Sequence, residues 1–163
     1  MKSETTLTIR PPAHAGEIRE AAGLMAGTDP WVTLGITITE VEKNLGDPLY
    51  ETFLAISGKE VAGVAVIQMK GACTGYLKSL AVKESWRNRH VGSMLMDFIE
   101  KRILTVHANI FLCVSSFNEA AKRFYLRRGY TEVGVLRDYL VEGYDELFMR
   151  KTKGPLLSRR TKG

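Results

Sequence analysis

The feature that most narrows the fold is a change of hydrophobic period between Val61 and Ile103. Val61 to Met69 is almost continuously apolar, the pattern of a central strand covered on both faces. Val91, Met94, Leu95, Phe98, Ile99 and Ile103 then recur at i, i+3, i+4, i+7, i+8 and i+12, on one face of a helix. A buried strand followed by a helix able to cover it predicts a sheet-and-helix domain.

The rest of the chain supplies the other elements. Leu7 to Arg10 reads as a short strand, stopped by Pro11-Pro12, which cannot continue a ladder. Ile18, Ala21, Ala22 and Met25 give residues 16–26 helical spacing, ended by Gly27 and Asp29-Pro30. A second helix is expected near Thr39, where Thr39-x-x-Glu42 has the form of a capping box and Leu45-Gly46 marks the stop. Residues 50–57 and 61–69 flank Gly58-Lys59 as a hairpin, and Tyr76 to Val82 completes an antiparallel meander. Asn109 to Ser115 is a compact apolar strand. Phe117, Ala120, Ala121, Phe124 and Tyr125 return to helical spacing, closed by Gly129 at a C′ position. Residues 130–135 and 144–150 read as two closing strands. The order β-α-α-β-β-β-α-β-α-β-β, with no repeat or linker, predicts one mixed α/β domain over residues 1–150 and a basic C-terminal tail over 151–163.

Composition limits the classes of function. With 163 residues, 45% hydrophobic and 25% charged, the chain is the size of one domain and can bury a core. No run of about 18 apolar residues occurs, so no membrane span is expected. The N-terminal MKSETTLTIR lacks the apolar stretch of a secretory signal. Cys73 and Cys113 fit neither a disulfide framework nor a metal spacing, which makes the cytoplasm the expected compartment. His14, His90 and His107 are scattered, and no metal is expected. Six of the 23 bases stand at or beyond Arg150 with no acid among them, leaving 17 bases against 18 acids in residues 1–149. The body is nearly neutral, so nucleic acid is disfavoured as a partner.

Leu77 to Ser93, LKSLAVKESWRNRHVGS, carries the main chemical signal. An apolar strand runs into a basic turn, and Gly92-Ser93 opens an amphipathic helix. The first turn of a helix has unpaired N–H groups and the positive end of its dipole, and Arg87 and Arg89 add charge beside it. On these residues alone, the turn serves equally as an anion site or as a helix start flanked by solvated arginines.

Two motifs favour the first reading. Arg87-Asn88-Arg89-His90-Val91-Gly92, after Leu80-Ala81-Val82, resembles the R/Q-x-x-G-x-G/A motif of the GNAT acetyltransferases. His90 departs from it, standing where the family has its first glycine, and a side chain there restricts the backbone. Asn118 to Tyr125, followed by Gly129-Tyr130, resembles the family's N-x-x-A-x-x-x-Y-x-x-x-G-F/Y signature with every anchor filled. On the residues alone, Asn118 could be only a helix cap, and Ser116-x-x-Glu119 offers another capping box.

The resemblance spans residues 5–150 and implies the GNAT fold, a predominantly antiparallel sheet flanked by helices. It implies acetyl-CoA as cosubstrate, bound through Leu80, Ala81, Val82, Arg87, Asn88, Arg89, His90, Val91, Gly92, Ser93, Asn118 and Tyr125. The implied activity is acetyl transfer to a primary amine by direct attack in a ternary complex, by a monomer or homodimer. A backbone N–H near Leu80 to Val82 would serve the oxyanion, and Tyr125 would protonate the leaving thiolate.

The base is less evident. Some relatives carry a glutamate at the positions matching Tyr76 or Cys113, and this chain has a carboxylate at neither. Tyr76 acting through an ordered water is the expected route, although a phenol with a pKa near ~10 is a poor base unaided. Cys113 is expected in the core, and Glu84, Asp145 and Glu146 remain as carboxylates. The acceptor, a small amine or a peptide, is expected against Asp29-Pro30-Trp31, Glu42 and Asp138 to Glu146, with Trp31, Tyr76, Tyr139 and Glu146 as contacts. The same aromatics read equally as packing residues and the acids as a solvated turn. An acyl-CoA-binding regulatory module without turnover is the alternative, supported by the missing glutamate and by His90.

Overall fold

The structure, a computed structural model, describes residues 6–157. Its elements are β1 (Leu7–Arg10), α1 (Ala15–Ala26), α2 (Ile38–Leu45), β2 (Glu51–Ser57), β3 (Glu60–Gln68), β4 (Tyr76–Val82), α3 (Val91–Leu104), β5 (Asn109–Ser115), α4 (Glu119–Arg127), β6 (Thr131–Val141) and β7 (Tyr144–Thr152). A 3-10 turn at Glu84–Trp86 joins β4 to the loop before α3. The seven strands form one sheet in the order β1-β2-β3-β4-β5-β7-β6.

Every neighbouring pair is antiparallel except β4 and β5. That parallel pair is short: Tyr76 lies opposite Phe111 and Leu77 opposite Leu112, and no further residues pair. Beyond Leu77 the two strands part.

The continuous apolar run of β3 has the expected cause. On one face Val64 and Val66 pack with Leu54 of β2 and Ala81 of β4 beneath Ala22 and Met25 of α1 and Val41 and Leu45 of α2. On the other, Ala65 and Ile67 pack beneath Leu95, Ile99 and Ile103 of α3 and Tyr125 of α4. Leu95, Ile99 and Ile103 are all 0% exposed, so truncating any of them to alanine costs about 2–5 kcal/mol. Gly63 seats the start of α3 on the sheet, because a Cβ there would meet Leu95 Cδ1 at 3.0 Å and Val91 Cγ1 at 3.2 Å.

An ion network around a buried carboxylate ties α3 to the end of α4 and to β7. Glu100, 8% exposed, accepts from Arg128 Nε at 3.2 Å and from Lys151 Nζ at 2.7 Å, while Arg128 also reaches Asp97 at 2.6 Å. A buried carboxylate is tolerated only with such partners. Lys151 is therefore a sheet residue, and β7 runs two positions past the expected end at Arg150. Arg159, Arg160 and Lys162 of the basic tail lie outside the described residues.

Two local expectations are corrected, and one open choice is decided. The cap of α2 is Thr37, whose hydroxyl accepts from Glu40 N while the Glu40 carboxylate accepts from Thr37 N. The segment holds two overlapping boxes, and Glu42 of the other is turned toward Arg19 of α1, 3.7 Å away. The cap of α4 is Asn118, so the Ser116 box does not form. Strand β6 continues to Val141 through irregular register, because an edge strand exposed nearly throughout has no need of apolar alternation.

Candidate active site

Where β4 leaves β5, a cavity of about 420 Å³ opens through the sheet. It gathers Trp31, Tyr76, Leu80, Asn118, Tyr125, Tyr139 and Glu146, residues from five separate stretches of sequence. Strand alternation assigns the walls. Leu77, Leu112 and Val114 face α3 and α4, so Tyr76, Cys113, Ser115 and Glu146 face the α1 and α2 side. Tyr125 enters from the α4 side.

The backbone of β4 supplies donors at the gap. Lys83 N–H bonds to Ala62 O at 2.9 Å on β3, and period-two alternation then turns the N–H groups of Leu80 and Val82 away from β3, toward the opening. Ala81 is the correction here. Its N–H points at β3, and its methyl is 4% exposed in the core, so it offers the cleft nothing.

Past the end of β4, Arg87 to Ser93 forms the turn into α3. The first helical bond is Met94 N–H to His90 O at 2.9 Å, which leaves the amides of Val91, Gly92 and Ser93 without carbonyl partners within the helix. Asn88 and His90 both adopt left-handed backbone, with φ of 58° and 60°. This is the conformation glycine takes most easily, and His90 holds it at a steric cost. Arg89 lies over the Trp86 ring, 5.3 Å from its centroid, and Arg87 is exposed. A Cβ on Gly92 would meet only Val82 Cγ2 at 3.6 Å and Phe124 Cζ at 3.8 Å, ordinary contacts. Internal packing does not require glycine there, whereas close approach of a phosphate to the amides does. The turn thus fits an anionic pyrophosphate. Val91 itself has its side chain in the core and can contribute only backbone.

Asn118 is the cap of α4 and also stands at the cavity. Its Oδ1 accepts from Ala121 N at 3.1 Å, capping α4, and the residue still lines the cavity. Tyr125 is 7% exposed, and burial drives its phenol well above the usual range. It stays protonated at neutral pH.

On the acceptor side, burial is the main force raising the Tyr76 phenol, helped by the adjacent Cys113 thiol, so Tyr76 is protonated at neutral pH. Burial also raises Cys113. Glu146 is 2% exposed and accepts from Ser115 Oγ at 2.7 Å. Its carboxyl lies above the ordinary carboxylate range because burial outweighs that hydrogen bond. Among the other carboxylates, Glu84 is exposed in the 3-10 turn and Asp145 pairs with Arg137 at 3.2 Å. Asp29 accepts from Thr33 Oγ1 at 2.6 Å, and Glu42 faces Arg19, so neither lines the cavity. Lys78 and Tyr50 also line it, although nothing in the sequence around either singles it out. Among the described residues, no group of three histidine, cysteine or acidic side chains could hold a metal ion, and no helix is long and apolar enough to cross a membrane.

Comparison with known proteins bears on the fold and the family. A coenzyme A complex of an aminoglycoside 6′-N-acetyltransferase superposes with a TM-score of 0.74 at 20% identity, covering 94% of this chain and 99% of that one. Ard1 from Thermoplasma volcanium superposes with a TM-score of 0.74 at 20% identity, covering 90% and 97%. An uncharacterised N-acetyltransferase of Methanocaldococcus jannaschii is 37% identical over 90 residues, 51% of this chain, and the match spans only 57% of that relative. The family model for the acetyltransferase (GNAT) family matches residues 21–130. By fold and by sequence, the chain belongs to the GNAT family of acetyltransferases.

Proposed function

We propose that this protein transfers an acetyl group from acetyl-CoA to a primary amine by direct attack, with Glu146 as the general base. The observation that carries this reading is the buried Glu146 carboxylate lining the same cavity as Leu80 and Tyr125. The cosubstrate supplies a thioester carbonyl as the electrophile. The amides of Val91, Gly92 and Ser93, with Arg87 and Arg89, hold its pyrophosphate.

Each remaining task falls to a residue of suitable chemistry. Glu146, with its proton affinity raised by burial, takes the proton of the incoming ammonium. The outward N–H groups of Leu80 and Val82 meet charge developing on the carbonyl oxygen. Tyr125, kept protonated, gives its proton to the departing sulfur. Tyr76 orients the amine or a bridging water as a hydrogen-bond donor, a change from the base role expected of it. Trp31 and Tyr139 offer aromatic faces beside the cationic amine.

The module without turnover draws its support from the missing glutamate and from His90, and a buried Glu146 in the cavity speaks against the first of these. The test is thiol release from acetyl-CoA across a panel of amines, with mass spectrometry of the products. Release that depends on both amine and Glu146 supports the reading. A folded protein that binds acetyl-CoA yet acetylates no amine would sink it.

A further inference from the structure

Lys78 stands out once the cavity's charges are counted. Among the described residues that line it, Lys78 is the one cation and Glu146 the one anion. Its place is set by a bulge: Val66 pairs with Ser79 and Ile67 with Leu77, so Lys78 is an extra residue in β4. Bulges re-aim side chains, and this one stands at the edge of the gap. The ammonium rests over the Tyr50 ring, 4.7 Å from the centroid, with no ion pair to any carboxylate among the described residues. Beside it, between α1, α2 and the sheet, the cavity is walled by Met25, Leu34, Ile36, Val41 and Leu45.

Resting on the acetyl-transfer reading, we infer that the acceptor is a zwitterion of the apolar amino-acid class, its amine taken by Glu146 and its carboxylate by Lys78. The apolar side chain fills the lobe under α1 and α2. A pocket with one charge of each sign and an apolar wall complements such a molecule term by term. It disfavours polycations, which would bring like charge against Lys78. An unpaired ammonium on an aromatic face gains a carboxylate partner without breaking an existing ion pair.

The test separates this site from turnover. N-acetyl-L-leucine and N-acetyl-L-leucinamide, which differ in the carboxylate alone, are titrated into the full-length protein by ligand-observed NMR. The wild type should favour the carboxylate about tenfold, the size expected for one charge-assisted hydrogen bond. Lys78→Met should bring the two ligands to the same affinity, and Lys78→Arg should keep the preference. Equal affinities in the wild type, or a preference that survives Lys78→Met, would overturn the inference. Thiol release is read on the same samples. Acetylation of neutral amines with no carboxylate preference leaves acetyl transfer standing and removes the zwitterion. A Lys78-dependent preference without thiol release keeps the zwitterion site and removes turnover.

Discussion

The Ser115 hydroxyl donates to the Glu146 carboxylate at 2.7 Å across the β5–β7 pair, and both residues are buried. The bond orients the carboxylate without neutralising it, which leaves an oxygen for an incoming ammonium. Replacing Glu146 by glutamine keeps the shape and removes the proton acceptor. Turnover should fall about 10²- to 10⁴-fold with the coenzyme still bound.

The same substitution should raise stability at neutral pH. Burial holds the folded Glu146 above its ordinary value, so the folded state binds the proton more tightly than the unfolded chain. Stability from this group is complete below the ordinary carboxylate range and is lost as pH rises through the raised folded value. Glutamine never loses it. Glu146→Gln should therefore melt higher than wild type at pH 7, and the gap should close near pH ~4. A lower melting temperature at pH 7 would contradict a desolvated carboxylate.

Tyr125→Phe should lower kcat about 10²-fold and leave KM nearly unchanged, because the proton is needed only as the thiolate departs. Steady-state kinetics with a fixed amine reads this directly. A variant as fast as wild type would move the acid role elsewhere.

Cys113 lines the cavity, yet burial raises its thiol and leaves little thiolate at neutral pH. Cys113→Ala should keep kcat/KM within about threefold of wild type, since a general-base contribution would be at least ~10²-fold. Intact-mass analysis after mixing with acetyl-CoA should show no acetylated enzyme. Loss of turnover in Cys113→Ala together with a trapped acetyl adduct would replace direct attack by a covalent route.

Elements that serve the core were legible because burial imposes a period. The apolar run at Val61 to Met69 and the helical face from Val91 to Ile103 each specify their own partner. The loop before α3 was legible through unpaired amides and basic side chains, which follow from local sequence. Glu146 was legible as an acceptor contact but, as a base, only as one acid among several, because its burial depends on β5 and β6 closing around β7. Lys78 was hidden altogether. In LKSLAV a lysine reads as the wet face of a strand, and the bulge that turns it into the cavity arises from register with β3. The Thr39 box failed because two boxes overlap in Thr37 to Glu42, and the helix starts one residue after Thr37, which makes Thr37 the cap.

His90 holds φ of 60° in place of a glycine. His90→Val should lose about 1–2 kcal/mol, as a β-branched residue tolerates that region poorly, while His90→Gly should fold and bind coenzyme as well as wild type. Thermal unfolding with and without coenzyme A checks both. A His90→Gly protein that no longer binds would show that the imidazole itself contacts the ligand.

The most direct test is calorimetric titration of acetyl-CoA into wild type and Gly92→Glu. A Cβ at residue 92 meets only ordinary contacts, so the variant should fold while its carboxylate repels the pyrophosphate. The free amides of the α3 turn predict saturable binding by wild type and a loss of at least about a hundredfold in the variant. A folded wild-type protein that does not bind acetyl-CoA would contradict the acetyltransferase reading outright.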